Sequence, residues 1–319
     1  MLTIGIDVGG TKVKTALVDA KGQILVSHRH PTDAHQGPDG VIADLAQCVR
    51  HCLGKTARNA SALGVGVAGQ VDAASGVVRF APNLHWRNVP LQSRLENLLG
   101  LPVVVINDVR AATWGEWSHG AGQGEEEVVC LFVGTGIGGG VISGGRLLEG
   151  YSGTAGEFGH MTIVVDGRPC HCRNLGCLEA YAGGWAIAER AQEAVQADPC
   201  AGQTLIAMAG GIEQITATTV GAAYRQGDPF ARRLVEDTGH YLAAGLIGIV
   251  NSFNPHLLIL GGGVIEGLPE LIDRVEAEIR TRALHAAIEH VRIVKSSLGN
   301  NAGVLGAAAL ARETRKESR

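Results

Sequence analysis

The sequence predicts an α/β fold made of two related domains facing a central cleft. Length is the first observation: 319 residues exceed one small core and fit two domains. Internal repetition is the second. A strand, a glycine turn, a second strand and a hairpin occupy residues 3–30, and the same order returns from Val128, with Thr135 standing where Thr11 stood. The third is the alternation of strand and helix patterns in both halves, which builds layered α/β domains. A repeat this long is no solenoid unit.

The elements follow in order. TIGIDVG (3–9) is an apolar strand closed by the Gly9-Gly10 turn, and KVKTALVD alternates like a half-buried strand. DAKGQ signals a hairpin into a third strand, ILVSHRH. Apolar residues at helical spacing mark an amphipathic helix over 38–58. ALGVGVAG is a buried strand ending at Gly69; LPVVVINDV is another, with Asn107 and Asp108 at its carboxyl end and a helix over 109–118. In the second copy VVCLFVG is a strand, TGIGGG a turn, GVISG a strand and GGRLLEG a hairpin with its return strand. Helical patterns follow at 183–197, 217–226 and 229–252, then the buried strand HLLILGGGV, a helix over 268–284 and a strand near 291–295. A final helix from about Ala302 is expected to pack back on the first domain. The expected division is 1–117, joined by the C-terminal helix at about 300–319, against 118–299, which carries a loop at 160–179.

Composition narrows the function. The chain is 45% hydrophobic and 18% charged, an ordinary globular balance, but its 46 glycines ask for many tight turns and close backbone approaches. A net charge of −4 and scattered Lys and Arg argue against a nucleic-acid surface. The N-terminus has no basic leader, and no apolar run reaches the roughly 18 residues that span a bilayer, so a cytoplasmic protein is expected. Seven cysteines, an odd number, speak against a secreted disulfide framework. Cys48, Cys52 and Cys130 read as packing residues, and Cys200 has no evident role.

Gly134, Gly136 and Gly139 spell G-x-G-x-x-G, yet GVISGGRLL follows where a dinucleotide fold needs a helix. The turn therefore joins two strands. Such hairpins present backbone N–H groups in an anion-binding nest. Two of them, Gly9-Gly10-Thr11-Lys12 and Gly134-Thr135-Gly136 onward, would hold a polyphosphate from both sides. Gly261, Gly262 and Gly263 end a buried strand, where a flat ring such as adenine can approach closely, or they simply make a turn. Asp108 either caps the following helix or serves as a general base; phosphoryl transfer asks for one such carboxylate. Asn107 beside it would hold substrate. Asp7 interrupts a strand just before a glycine turn, either as a solvated edge residue or to hold Mg²⁺.

Cys170, Cys172 and Cys177 form C-x-C-x₄-C, with His160 ten residues before. Three thiolates and an imidazole make a closed tetrahedral zinc set; neither redox-pair nor DNA-finger spacing is met. His171 lies between two cysteines and is expected to point away, which leaves His160 as the fourth ligand. Its second ring nitrogen would meet an outer acceptor or a substrate hydroxyl, and Glu157 and Glu179 flank the set.

These residues resemble the ROK family of sugar kinases, open reading frames and repressors. The carriers are GIDVGGTK (5–12), VINDVRAATWGE (105–116), VGTGIGGGV (133–141), GEFGH (156–160), CHCRNLGCLE (170–179) and LILGGGV (258–264), which span essentially the whole chain. The resemblance implies an actin-like ATPase (ribonuclease H-like) fold. It implies Asp108 as catalytic base, sugar contacts at Asn107, Glu157, His160 and Glu179, with Gly69 and Asn83 in the same pocket, and zinc at His160, Cys170, Cys172 and Cys177. Arg173 stands where the family pattern often has glycine, which leaves the ligands intact. Family repressors carry a helix-turn-helix ahead of the first strand; this sequence begins two residues before it, so a regulator of that kind is not expected.

The activity expected is ATP-dependent phosphorylation of a hexose at its 6-hydroxyl, with glucose first and N-acetylmannosamine, N-acetylglucosamine, fructose or allose as alternatives. A non-catalytic sugar sensor is the reading from another class. ATP, Mg²⁺ and structural Zn²⁺ are the cofactors expected, and a homodimer or homotetramer the assembly.

Overall fold

The computed structural model describes residues 1–56 and 58–317. The chain opens with β1 (Thr3–Val8), β2 (Lys12–Val18), β3 (Ile24–Pro31) and α1 (Gly37–Gly54). Next come β4 (Leu63–Val67), β5 (Gln70–Asp72), β6 (Val77–Ala81), β7 (Trp86–Val89), α2 (Leu91–Leu99), β8 (Val103–Asn107) and α3 (Asp108–His119). The second copy starts with β9 (Val128–Val133), β10 (Ile137–Ser143) and β11 (Arg146–Leu147). It continues through α4 (Glu179–Ala182), α5 (Gly184–Ala197), α6 (Gln203–Ala209), α7 (Ala217–Arg225) and α8 (Pro229–Phe253). The chain finishes with β12 (Leu257–Gly261), α9 (Gly263–Gly267), α10 (Glu270–Arg282), α11 (His285–Ile288), β13 (Arg292–Lys295) and α12 (Ala302–Glu317).

The repeat seen in the sequence is a repeat of sheet topology. One five-stranded sheet has the order β3-β2-β1-β4-β8, the other β11-β10-β9-β12-β13. In each, the first strand of the copy is central. Its hairpin partners lie to one side, and parallel strands lie to the other. The inner parallel strands β4 and β12 read as unbroken apolar runs because both their faces are covered.

Contacts divide the chain into two compact units. Unit 1 holds Met1–Glu126, Gly140–Gly156 and the segment from Ser297; unit 2 holds Glu127–Gly139 and Glu157–Ser296. The division passes through β10.

In unit 1, α12 lies directly on the backbone of β1 and β4. A Cβ at Gly5 would stand 1.9 Å from the Val304 carbonyl oxygen, and one at Gly64 would stand 1.8 Å from that of Ala307. Only glycine permits this approach, and it accounts for part of the glycine excess. On the other face, α1 presents Val41, Ile42, Leu45, Ala46, Cys48 and Val49 inward, a helical stripe that follows Pro38 in its first turn. Ile4, Ile6, Leu45, Leu63 and Trp86 are fully buried in the resulting core.

Several boundaries differ from those expected. The first helix stops at Gly54, short of 58. β10 begins at Ile137, so Gly138, Gly139 and Gly140 lie in the strand and not in the turn before it. Gly139 and Gly140 are needed there. A Cβ at Gly139 would meet Phe158 at 2.4 Å, and one at Gly140 would meet Thr113 Oγ1 at 2.4 Å. The three-stranded sheet β5-β6-β7 and helix α6 were not expected; Gly76, Pro82 and short alternations hid the sheet. Among the described residues no helix is long and apolar enough to cross a membrane.

Candidate functional site

Unit 1 holds Asp7, Asp108 and the first glycine turn. The cap of α3 is Asn107, not Asp108: Asn107 Oδ1 accepts from the N–H groups of Val109 and Arg110, at 3.0 Å each. Asp108 is thus the first helical residue, relieved of the capping role, with a favourable place at the helix dipole. Asn107 Nδ2 donates to Asp108 Oδ1 at 3.0 Å and to the Gly69 carbonyl at 3.2 Å. Its oxygen is therefore committed to the helix, and its amide fixes the Asp108 carboxylate and the Gly69 turn. Gly69 is glycine because a Cβ there would stand 2.6 Å from the Phe80 carbonyl oxygen.

Asn83 sits in the short helical turn Pro82–Leu84 against Gly10, where an added Cβ would be 2.8 Å from that of Asn83. This brings a predicted sugar residue to the phosphate turn. That turn is closed by Gly9 N–H donating to the Lys12 carbonyl at 3.0 Å, and Thr32 Oγ1 donates to the Gly9 carbonyl. Thr11 and Lys12 are exposed.

Asp7 is no solvated edge residue. It lies on the central strand β1, opposite Lys14, and burial pushes its carboxyl above the usual range, outweighing the pull of Lys14 and Lys12. Lys14 Nζ is itself committed to the Asn300 carbonyl and Asn301 Oδ1. A carboxylate short of compensating charge fits a divalent cation.

Unit 2 contains a cavity of about 510 Å³, within the range of small-molecule sites, lined by Gly134, Thr135, Trp185, Thr216, Arg225 and Gly263 among others. The start of α5 is docked on the glycine turn. Gly184 N–H donates to the Gly134 carbonyl, and Trp185 N–H to that of Thr135. Of the three later glycines, Gly263 lines the cavity. Gly262, at φ +91°, makes the turn beneath Val133, and Gly261 packs against Ser296 and Phe132. Sequence reading missed Trp185, Thr216 and Arg225. None sits in a local motif; they meet only because α5, α7 and α9 converge.

Glu179 ties this cavity to the cysteine segment. Its Oε2 accepts from Ile137 N–H at 2.7 Å, and its Oε1 from the Trp185 indole N–H at 3.2 Å. Glu157 is exposed and precedes the short helical turn Phe158–His160. That turn packs on β10: a Cβ at Gly159 would stand 2.2 Å from the Ile137 carbonyl oxygen.

The cysteine segment has the donor spacing of a zinc site. One ligand atom each from His160, Cys170, Cys172 and Cys177 lies within 4.8 Å of all the others. Cys170 Sγ is 3.7 Å from His160 Nδ1, and Cys172 Sγ is 3.6 Å from Cys177 Sγ. Zinc–sulfur bonds of about 2.3 Å set tetrahedral edges near 3.8 Å, so the pocket is already close to size. His160 turns Nδ1 toward the sulfurs and leaves Nε2 for another partner. His171 does point away, with its ring 4.1 Å from that of Trp185. Arg173 takes φ +77°, a left-handed conformation that favours glycine. Burial pushes the Cys170 thiol up to about 12 and raises Cys177, so a cation is needed to make all three sulfurs thiolates.

A family model, the ROK family, matches residues 3–314. A glucokinase from Streptomyces coelicolor is 38% identical over 314 residues, 98% of each chain. An N-acetylmannosamine kinase from Shigella boydii is 35% identical over 323 aligned positions, again 98% of each. Among solved structures, a ROK family glucokinase from Streptomyces griseus, in complex with glucose and AMPPNP, has a TM-score of 0.86 and 37% identity. The match covers 98% of this chain and all of that one.

Proposed function

The chain belongs to the ROK family of actin-like fold, and on that premise we propose that it is an ATP-dependent hexose kinase that converts glucose to glucose 6-phosphate. One observation carries the reading: the Streptomyces griseus relative, alike over the whole chain, is a glucokinase that binds glucose and an ATP analogue.

The residues divide the work. Two glycine turns, Gly9-Gly10-Thr11-Lys12 and Gly134-Thr135-Gly136, offer the phosphates backbone N–H groups, hydroxyls and one ammonium. The unit 2 cavity takes the adenosine end, with Gly263 on its wall and Gly261 and Gly262 shaping the turn. Asn107, Glu157, His160 and Glu179, with Gly69 and Asn83, bind sugar hydroxyls. Asp108 accepts the proton of the 6-hydroxyl as that oxygen bonds to the γ-phosphorus in line. The bond from phosphorus to the β–γ bridging oxygen breaks, and ADP leaves. Asp7 would hold Mg²⁺, which when bound neutralises phosphate charge. His160, Cys170, Cys172 and Cys177 would hold structural Zn²⁺, which fixes the His160 ring for the sugar. The functional lobes are 1–117 with the C-terminal helix, and 118–299. The enzyme works in the cytoplasm as a homodimer or homotetramer, away from membranes and nucleic acid.

An N-acetylhexosamine substrate is the second reading, favoured by the Shigella boydii relative. Asp108→Asn tests the mechanism. Losing a positioned base costs about 10²–10⁴ in kcat, while glucose binding by calorimetry stays near that of the parent. A near-normal kcat removes Asp108 from the base role.

A further inference from the structure

We propose a second metal site, in unit 1, formed by His28, His30 and Cys48 and taking one zinc-like divalent ion. Nothing in the phosphoryl-transfer machinery uses these residues. One ligand atom from each lies within 4.8 Å of the other two.

Two elements make this meeting a product of their periodicity. β3 is an edge strand whose exposure alternates residue by residue, with Ile24, Val26, His28 and His30 on the more covered face and Leu25, Ser27, Arg29 and Pro31 on the open one. Two histidines at i and i+2 therefore share the covered face. α1 packs beside this strand and presents Asp44, Cys48 and His51 at i, i+4 and i+7, a single helical stripe. Cys48 is buried while both strand histidines are half-buried, so an ion can enter from solvent and end against the sulfur.

The surroundings favour a cation. Asp44 Oδ2 stands 3.8 Å from His30 Nε2 and puts a negative charge beside the site. The His51 ring lies 4.3 Å from that of His28, which limits how far His28 can swing. Thr15, paired with His28 across β2 and β3, is fully buried beside the Cys48 thiol. Two imidazoles and a thiolate suit zinc; Mg²⁺ and Ca²⁺ want oxygen ligands. Three protein ligands leave a fourth position open to water.

The site differs from the one at His160. There four donors converge, with Cys170 Sγ 3.7 Å from His160 Nδ1 and Cys172 Sγ 3.6 Å from Cys177 Sγ. Here three donors converge. With one protein ligand fewer, the new site is the weaker of the two.

Equilibrium dialysis of the full chain against micromolar zinc, with elemental analysis, reads the stoichiometry. The expected result is two zinc ions per chain in the parent, one in His28→Ala/His30→Ala, and retention of the weaker ion in Cys172→Ser. His51→Ala removes a neighbouring histidine that is not a ligand and leaves two. One zinc per chain in the parent, or two in the double-histidine variant, overturns the proposal. Cobalt gives a second reading that survives poor folding of that variant. The parent loaded at both sites shows thiolate-to-cobalt absorption that falls in Cys48→Ala while the His160 set keeps its share; an unchanged spectrum overturns the assignment of Cys48.

Discussion

Replacing Glu179 by glutamine changes a single atom type and should weaken two parts of unit 2 at once. The carboxylate accepts two N–H groups, from Ile137 at 2.7 Å and from the Trp185 indole at 3.2 Å. Glutamine keeps one acceptor oxygen and turns an NH₂ toward the other donor. The shorter bond should keep the oxygen, so the Trp185 contact becomes donor against donor. A hydrogen bond to a charged group is worth about 1.5–3 kcal/mol, and the stranded indole adds to the loss. Because Trp185 forms part of the cavity wall and Ile137 follows the Gly134–Gly136 turn, that energy appears partly as nucleotide affinity. At about 1.4 kcal/mol per factor of ten, KM for ATP should rise roughly tenfold or more, with a melting temperature several degrees lower. Steady-state kinetics with ATP varied at saturating glucose, alongside calorimetric melting, provides both numbers. A variant with unchanged melting and unchanged KM for ATP, altered only in KM for glucose, would refute the coupling and leave Glu179 a sugar contact alone.

Three further outcomes are expected. Cys172→Ser should remove the zinc held with His160, lower stability, and raise KM for glucose about tenfold if His160 meets the sugar on Nε2; a folded variant with normal glucose affinity would reduce the segment to a structural clip. Glu116→Ala should destabilise by roughly 3–5 kcal/mol, read by denaturant unfolding, because its buried carboxylate accepts from the N–H groups of Ala121, Ser297 and Leu298 and holds the entry to α12; a loss under about 1 kcal/mol would contradict that role. Asp7→Asn should abolish turnover yet raise the melting temperature at pH 7. Burial lifts the folded-state pKa of Asp7, so its contribution is favourable below the unfolded value of 3.8 and is lost as pH rises through the folded one. The gain should therefore shrink toward pH 3, and a variant less stable at pH 7 would reverse the sign.

Where the chain signals locally, the fold was legible. Apolar runs bounded by glycine gave β1, β4, β8 and β9, and the matching turns at Thr11 and Thr135 gave the duplicated topology. What stayed hidden depends on partners distant in sequence. Gly138–Gly140 read as turn residues, but they are strand residues, and Gly139 and Gly140 are bare so that Phe158 and Thr113 can lie on them. The β5–β7 sheet is built from strands of three to five residues, too short for a period to show. Asn107 and Asp108 are equally good caps on paper; only the bonds to Val109 and Arg110 assign the cap to Asn107. Trp185 and Arg225 became cavity residues through helix packing alone. The His160 donor cluster was readable because three cysteines and one histidine fall within 18 residues, whereas His28, His30 and Cys48 come from a strand and a helix and left only Cys48 visible, as a packing residue.

The most direct test of the central claim is ADP release, coupled to a reporter enzyme, from the purified chain with ATP and Mg²⁺ across glucose, N-acetylmannosamine, N-acetylglucosamine, fructose and allose. Sugar-dependent turnover with the highest kcat/KM for glucose is expected, with glucose 6-phosphate as product. Turnover highest with an N-acetylated sugar, or glucose bound with no ADP released, would contradict it.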